Sequence, residues 1–340
     1  MPLSTPLAQT ADAPLPPAPP AVPDADGHPR FGRFAGATAA IDWTRLAAPY
    51  ARGALWRHFH HKRWQYVALA TEELFCGIAI VDLGWTSTAF AYVFDRIVRA
   101  EVAGYSQNGL PGLGARVAAQ AGGESTFRWP GSRIDFRARD GEYRLSLRCR
   151  GFEIDAGFSA TDSPLLLAVG PVDGGSVHAT QKSPGMPLTG EVRVAGRRYG
   201  LDGGVASFDY SNGLLARETS WQWASAHSLA LGFNLQAGYF GNHENALWLD
   251  GRLIPLGQAR FDYDRARPLA PWQVRTDDGL LDLQFTPEGA RREDKNLLVA
   301  ASRYIQPIGH FSGWVKAAPG AAPRRVERLV GVTEDHYSRW

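Results

Sequence analysis

The chain is written mostly in the two-residue alternation of β-strands. In "RIDFRARDGEYRLSLRCRGFEI", Ile134, Phe136 and Ala138 alternate with Asp135, Arg137 and Arg139. Beyond Asp140-Gly141, Tyr143, Leu145, Leu147 and Cys149 alternate with Arg144, Ser146, Arg148 and Arg150. Successive strand side chains point to opposite sides, so this pattern predicts an antiparallel hairpin with one apolar and one charged face. "ENALWLDGRLIPLG" and "PWQVRTDDGLLDLQFTP" repeat the form. Asp-Gly occurs at 140–141, 173–174, 202–203, 250–251 and 278–279, and Asn-Gly at 108–109 and 212–213. Such pairs supply the positive-φ residues of tight hairpins, and each predicts a turn. Helical spacing is scarce, with one short helix expected in 42–60. The predicted architecture is all-β, with many antiparallel strands forming either a barrel or a large β-sandwich.

The pattern lapses at the start. Residues 1–30 hold nine prolines and no Ile, Phe, Trp or Tyr, which predicts a disordered or polyproline-like tail. A weak internal echo follows. Shifted by 157 residues, Trp64-Gln65, Gly84 and Ala89 fall on Trp221-Gln222, Gly241 and Ala246. That predicts two similar β domains, 31–200 and 201–340.

Composition removes several function classes. A net charge of +2 over 340 residues, with arginines interspersed among apolar positions, argues against a nucleic-acid partner. Two cysteines, Cys76 and Cys149, support neither a disulfide framework nor a thiolate metal site, and buried free thiols are expected. No apolar run reaches about 18 residues, so no membrane span is expected. No secretory signal is read at the start, and the expected location is cytoplasmic.

One segment breaks the monotony: "FDYSNGLLARETSWQWASAH", residues 208–227. As a strand after a turn at Asn212-Gly213, it puts Arg217, Thr219, Trp221, Trp223, Ser225 and His227 on one face and Glu218 on the other. A face mixing tryptophans with a few polar groups suits the wall of a ligand cavity. The plainer alternative is that both tryptophans are core residues. Asp209, Glu218 and His227 are the candidate proton-handling groups. Arg217, Trp221, Trp223, Asn234 and Glu244 are the candidate ligand contacts. Charged Arg217 and Glu218 need partners, with Asp209, Glu244 and Asp250 available. "HFHHKRW" offers His58 and His60 on one strand face but no third ligand, and no metal is expected. The closing "GVTEDHYSRW" is expected to dock, not fray. No nucleophile elbow, P-loop, metalloprotease or dinucleotide motif is present, so no cofactor is expected.

"SFDYSNGLLARETSWQWASAH", "GFNLQAGYFGNHENALWLDG", "YIQPIGHFSG" and "GVTEDHYSRW" resemble a family described as domain of unknown function 2804, over roughly 30–340. More distantly, a carboxylate-bearing turn before a Trp-x-Trp strand is similar to carotenoid 1,2-hydratase-like proteins. The resemblance implies two lipocalin-like antiparallel barrels in tandem, with Asp209, Trp221 and Trp223 lining a cavity at their junction. The chain departs from that pattern by inserting "YSNGLLARETS" between Asp209 and Trp221, which leaves the acid open. The expected partner is a small hydrophobic or amphipathic molecule. It would be hydrated, cyclised or isomerised, or carried without chemistry. A carbohydrate-binding β-sandwich, with both tryptophans on an open platform, is the competing reading.

Overall fold

The computed structural model describes residues 14–110, 112–296 and 300–340. Among them the only helices are a 3-10 turn, Trp43–Arg45, and one α-helix, Ala54–His60. None is long and apolar enough to cross a membrane.

The larger sheet runs, neighbour to neighbour, from Ala100–Gly109 through Ser87–Asp95, Leu74–Asp82, His61–Ala70 and Gly204–Leu214 to Met186–Val194. It continues through Phe152–Ser159, Glu142–Cys149, Ser132–Arg139 and Ser125–Trp129 to Ala115–Arg116. Its two edge strands are consecutive in sequence, so the sheet curls into a nearly closed barrel. Inside lie Val67, Leu69, Ile78, Phe136, Leu147 and Phe208. The second sheet holds Glu218–His227 between Leu231–Gly238 and Arg324–Arg339, the last being its middle strand. It wraps halfway around Phe233, Leu235, Trp272, Phe285 and Phe311. The chain is therefore all-β, with two barrels in tandem.

The barrels meet face to face. Tyr66, Phe75, Tyr92 and Phe94 from the first pack against Trp223, Ile308 and Val332 from the second. Strand His61–Ala70 is thus covered on both sides: Val67 and Leu69 face the barrel interior, Trp64 and Tyr66 the partner barrel. Double coverage explains why "YVALA" reads as an apolar run and not as alternation. A buried ion pair ties the junction. Arg96 forks onto both oxygens of Glu288 at 2.9 Å and also donates to the carbonyls of Thr71 and Glu72.

The predicted 132–149 hairpin forms, with Phe136 opposite Leu145 and Arg139 opposite Glu142. At those five Asp-Gly sites, and at a sixth, Asp26-Gly27, the glycine takes positive φ. The Asn-Gly sites do not turn. Asn108-Gly109 ends a strand, and Asn212-Gly213 lies within Gly204–Leu214. There the Asn212 amide oxygen accepts from Trp43 Nε1 at 2.8 Å, and a Cβ on Gly213 would meet Leu215 at 2.8 Å and His178 at 3.1 Å. Burial, not turn geometry, selects that pair.

Two boundaries move. The proline-rich segment expected to stay loose through residue 30 packs from Leu15 on: Leu15 is buried, and Ala21–Val22 pairs with Ala40–Ile41. Residues 1–13 of that expectation lie outside the described residues. The expected division at 200/201 is replaced by a change of sheet after Leu214, because Gly204–Leu214 pairs with His61–Ala70 of the first barrel. The helix ending at His60 also separates the three histidines. His60 Nδ1 lies 2.6 Å from the Leu215 carbonyl, and His61 Nε2 lies 2.8 Å from Asn212 Oδ1.

Candidate functional site

A cavity with about 130 Å³ of free space opens between the barrels. Its rim is aromatic and half-exposed: Trp64, Phe90, Trp221, Tyr239 and Trp340. Its buried floor is Tyr66, Trp223, Tyr304 and three polar groups, Lys182, Gln236 and Glu244. Strand parity produces this division. The alternation that turns Trp221 and Trp223 inward also turns Glu334 and His336 inward on the neighbouring strand, where Trp221 sits opposite His336 and Trp223 opposite Glu334.

One wall carries a charge cluster. Lys182, at the end of strand Val177–Lys182, sits directly across from Asp209 and donates to its Oδ2. The same ammonium lies 3.3 Å from Glu244 Oε2. Glu244 reaches in from the loop after Leu231–Gly238, and Asn234 Nδ2 donates to its carbonyl at 3.0 Å. Burial disfavours the Lys182 ammonium, but the two carboxylates outweigh it and hold its pKa above the ordinary lysine value. Burial pushes the Glu244 carboxyl above the usual range; Lys182 only partly offsets this, and Asp209 adds to the rise. Buried Glu244 and partly buried Asp209 share one ammonium, which favours the protonated form of Glu244.

The opposite wall is a hydrogen-bonded carboxylate. Glu334 Oε1 accepts from Trp221 Nε1 at 3.0 Å and lies 3.0 Å from His336 Nδ1, while Oε2 accepts from Gln306 Nε2 at 2.7 Å. Tyr92 donates to Gln306 Oε1 and fixes which way that amide points. His336 Nε2 faces the hydroxyls of Ser338 at 2.9 Å and Ser302 at 3.3 Å. The Trp221 and His336 ring centroids lie 4.1 Å apart, with the planes tilted by 33°. A proton taken at Glu334 therefore has an imidazole next in line. Gln236 contributes an amide whose oxygen and nitrogen are both buried without a partner among the described residues.

The chain matches, over residues 18–340, the family model described as a domain of unknown function (DUF2804). It belongs to that family. No curated protein sequence matches this DUF2804 chain. Among solved structures, a candidate AttH from Nitrosomonas europaea superposes with a TM-score of 0.53 at 14% identity, covering 87% of this chain and 97% of that one. CghA with Sch210972 gives 0.54 at 10% identity, covering 82% and 88%. Kievitone hydratase from Nectria haematococca gives 0.50 at 12% identity, covering 86% and 94%. At such identities these likenesses establish the fold of the DUF2804 chain.

Of the residues singled out in the sequence, the structure brings Asp209, Trp221, Trp223 and Glu244 together at the cavity. Asn234 stands one layer behind: its Oδ1 accepts from Trp223 Nε1 at 2.8 Å, so it aims the indole. Glu218 is not in the cavity. The parity that places Trp221 inside places Glu218 outside, exposed. Arg217 sits at the outer edge, donating to the Trp340 carbonyl, and the partners expected for it are taken: Asp209 and Glu244 by Lys182, Asp250 by Arg324. Neither tryptophan forms an open platform, because Trp223 is only 8% exposed and both indole N–H groups are engaged.

His227 shares the face of Trp223 but stands four residues along, about 13 Å away at the strand rise, beyond the cavity. Its ring packs 5.6 Å from Trp248. Burial lowers its pKa to about 3, so it is neutral and poorly placed for proton transfer. Imidazole NMR shifts of His227 should stay flat down to about pH 4. A transition near the ordinary histidine value would contradict this placement.

Lys182, Glu334, His336 and Gln236 were not among the candidates read from the sequence. Glu334-x-His336 carried a usable signal, since a two-residue spacing puts both on one strand face. Lys182 carried none: its partner Asp209 lies 27 residues away.

Proposed function

We propose that the cavity binds a small molecule with a flat apolar body and carries out cofactor-free acid–base chemistry on it: hydration, cyclisation or isomerisation. The observation that carries this reading is the Lys182–Asp209–Glu244 cluster set into a cavity bordered mainly by aromatic rings. A chain needing only a greasy pocket would not bury Lys182 and Glu244 there with Asp209 partly buried beside them.

Glu244 is the proton donor in this reading. Its environment favours the protonated form, and Lys182 stabilises the carboxylate left after transfer. In a hydration, the π pair of a C=C bond takes the Glu244 proton, water adds to the resulting cation, and the Glu334–His336 pair accepts the surplus proton of that water. Exchange with solvent returns a proton to Glu244. In an isomerisation or cyclisation the Glu334–His336 pair removes a proton from the ligand instead, with no net gain or loss. The faces of Trp221 and Trp223 stabilise positive charge by about 0.5–2 kcal/mol each. Asp209 keeps Lys182 charged and Glu244 protonated.

The test is native mass spectrometry of protein purified from its own host, followed by solvent extraction of what co-purifies. A stoichiometric apolar ligand that is lost in the Trp221→Ala/Trp223→Ala double variant supports the reading and supplies the compound to assay. An empty protein that also fails to bind any terpenoid, polyketide or lipid overturns it. A ligand that returns unchanged after incubation leaves a carrier.

A further inference from the structure

The cavity's charge balance bears on what it admits. Its lining holds one ammonium, Lys182, and one imidazole, His336, against three carboxylates, Asp209, Glu244 and Glu334. With the His336 imidazole neutral beside Glu334, Nδ1 to Oε1 3.0 Å, carboxylate stays in surplus even when Glu244 is protonated, because Lys182 offsets only Asp209. The other cations nearby are committed elsewhere. Lys62 donates to the carbonyls of Phe59 at 2.7 Å and Leu83 at 2.8 Å, fully buried behind Trp340. Arg291 donates to the Tyr304 hydroxyl at 2.7 Å and faces Glu101 and Glu293. Arg217 holds the Trp340 carbonyl. None of the three lines the cavity.

The rest of the wall acts in the same direction. Trp64, Trp221, Trp223 and Trp340 border the cavity with Tyr66 and Tyr239, and aromatic faces are negative. An aromatic enclosure with surplus carboxylate attracts cations and repels anions, and the low dielectric between two packed barrels strengthens both effects.

We propose that this site selects its ligand by charge, preferring a flat apolar molecule that carries an organic ammonium group and rejecting anionic amphiphiles such as fatty acids. The inference rests on the reading that the cavity is a ligand site, and adds the class of ligand. The positive group sits toward Glu334 and Trp221, where the neutral His336 imidazole is the one basic neighbour and no lysine or arginine besides Lys182 lines the cavity, and the apolar body lies against Trp223 and Tyr66. About 130 Å³ holds one ring, with a larger body extending through the aromatic mouth.

The test uses three probes that share one body: benzyltrimethylammonium, benzyl alcohol and benzoate. Each is titrated into the full chain, following tryptophan indole N–H signals by NMR. The expected order is cation, then neutral, then anion, with the cation bound at least about tenfold more tightly than the anion. Glu334→Gln should shrink that ratio, whereas Glu218→Gln, on the exposed outer face, should leave it unchanged. Circular dichroism checks that both variants are folded, and the wild-type series decides the matter by itself. Benzoate binding as tightly as the cation, or all three binding alike, overturns charge selection and leaves the ligand cavity standing. Failure of all three to shift any indole signal overturns the cavity reading and this inference together.

Discussion

Glu244→Gln should lower turnover by about 10²–10⁴-fold while changing ligand affinity only a few-fold. The amide keeps the size of the carboxyl and the contact with Asn234, and it leaves the Lys182–Asp209 pair intact. Only the transferable proton is lost. The measurement is kcat and KM on the ligand recovered from the protein; equal falls in kcat and kcat/KM with KM held identify a group that acts in the transition state. Asp209→Asn refines the point through pH. Activity that needs protonated Glu244 falls as pH rises through that group's pKa. Asp209 helps to raise that pKa, so removing its charge should move the descending limb toward lower pH. A limb that stays put would remove Glu244 from the acid role.

The second large effect is on stability. Lys182→Met leaves buried Glu244 and partly buried Asp209 without their countercharge, and breaking a buried pair in this way costs about 3–5 kcal/mol. The loss should be larger at about pH 8 than at about pH 5, because at lower pH the stranded carboxyls escape the penalty by taking up protons. In the unaltered chain the same logic sets the slope. Glu244 has a raised folded pKa, so its contribution is fully present below the ordinary value of 4.5 and is lost as pH rises through the folded value. Lys182, also raised, contributes until pH climbs past its own elevated pKa. Urea denaturation of both proteins at the two pH values measures this. Adding Asp209→Asn and Glu244→Gln to Lys182→Met should recover most of the loss, since neutral amides need no countercharge. Equal losses at both pH values would mean that Lys182 supports the fold by packing alone.

Why one cluster was visible in the sequence and another was not comes down to range. Trp221 and Trp223 alternate within one strand, so their common face follows from local geometry. Glu334 and His336 obey the same rule. Lys182 and Asp209 meet only because two strands far apart in sequence pair in one register, and no local pattern encodes a register. Asn212-Gly213 shows the converse error. Its local chemistry suits a hairpin, yet the buried Trp43 indole and the crowded Gly213 hold it extended.

By itself, then, the sequence determined the class of fold and the strands. Period-two patterning and Asp-Gly turns are short-range properties, and the burial of one face makes them binding. It also determined that Trp221 and Trp223 share one strand face, while leaving cavity wall and core both open. Only the tertiary structure decided which groups that face meets. Sheet pairing sent Glu218 outward, left His227 beyond the cavity, and brought Lys182 between two carboxylates from different barrels. The physical reason is that a side chain's chemistry depends on its charge neighbours and dielectric surroundings, and here both are supplied by residues remote in sequence.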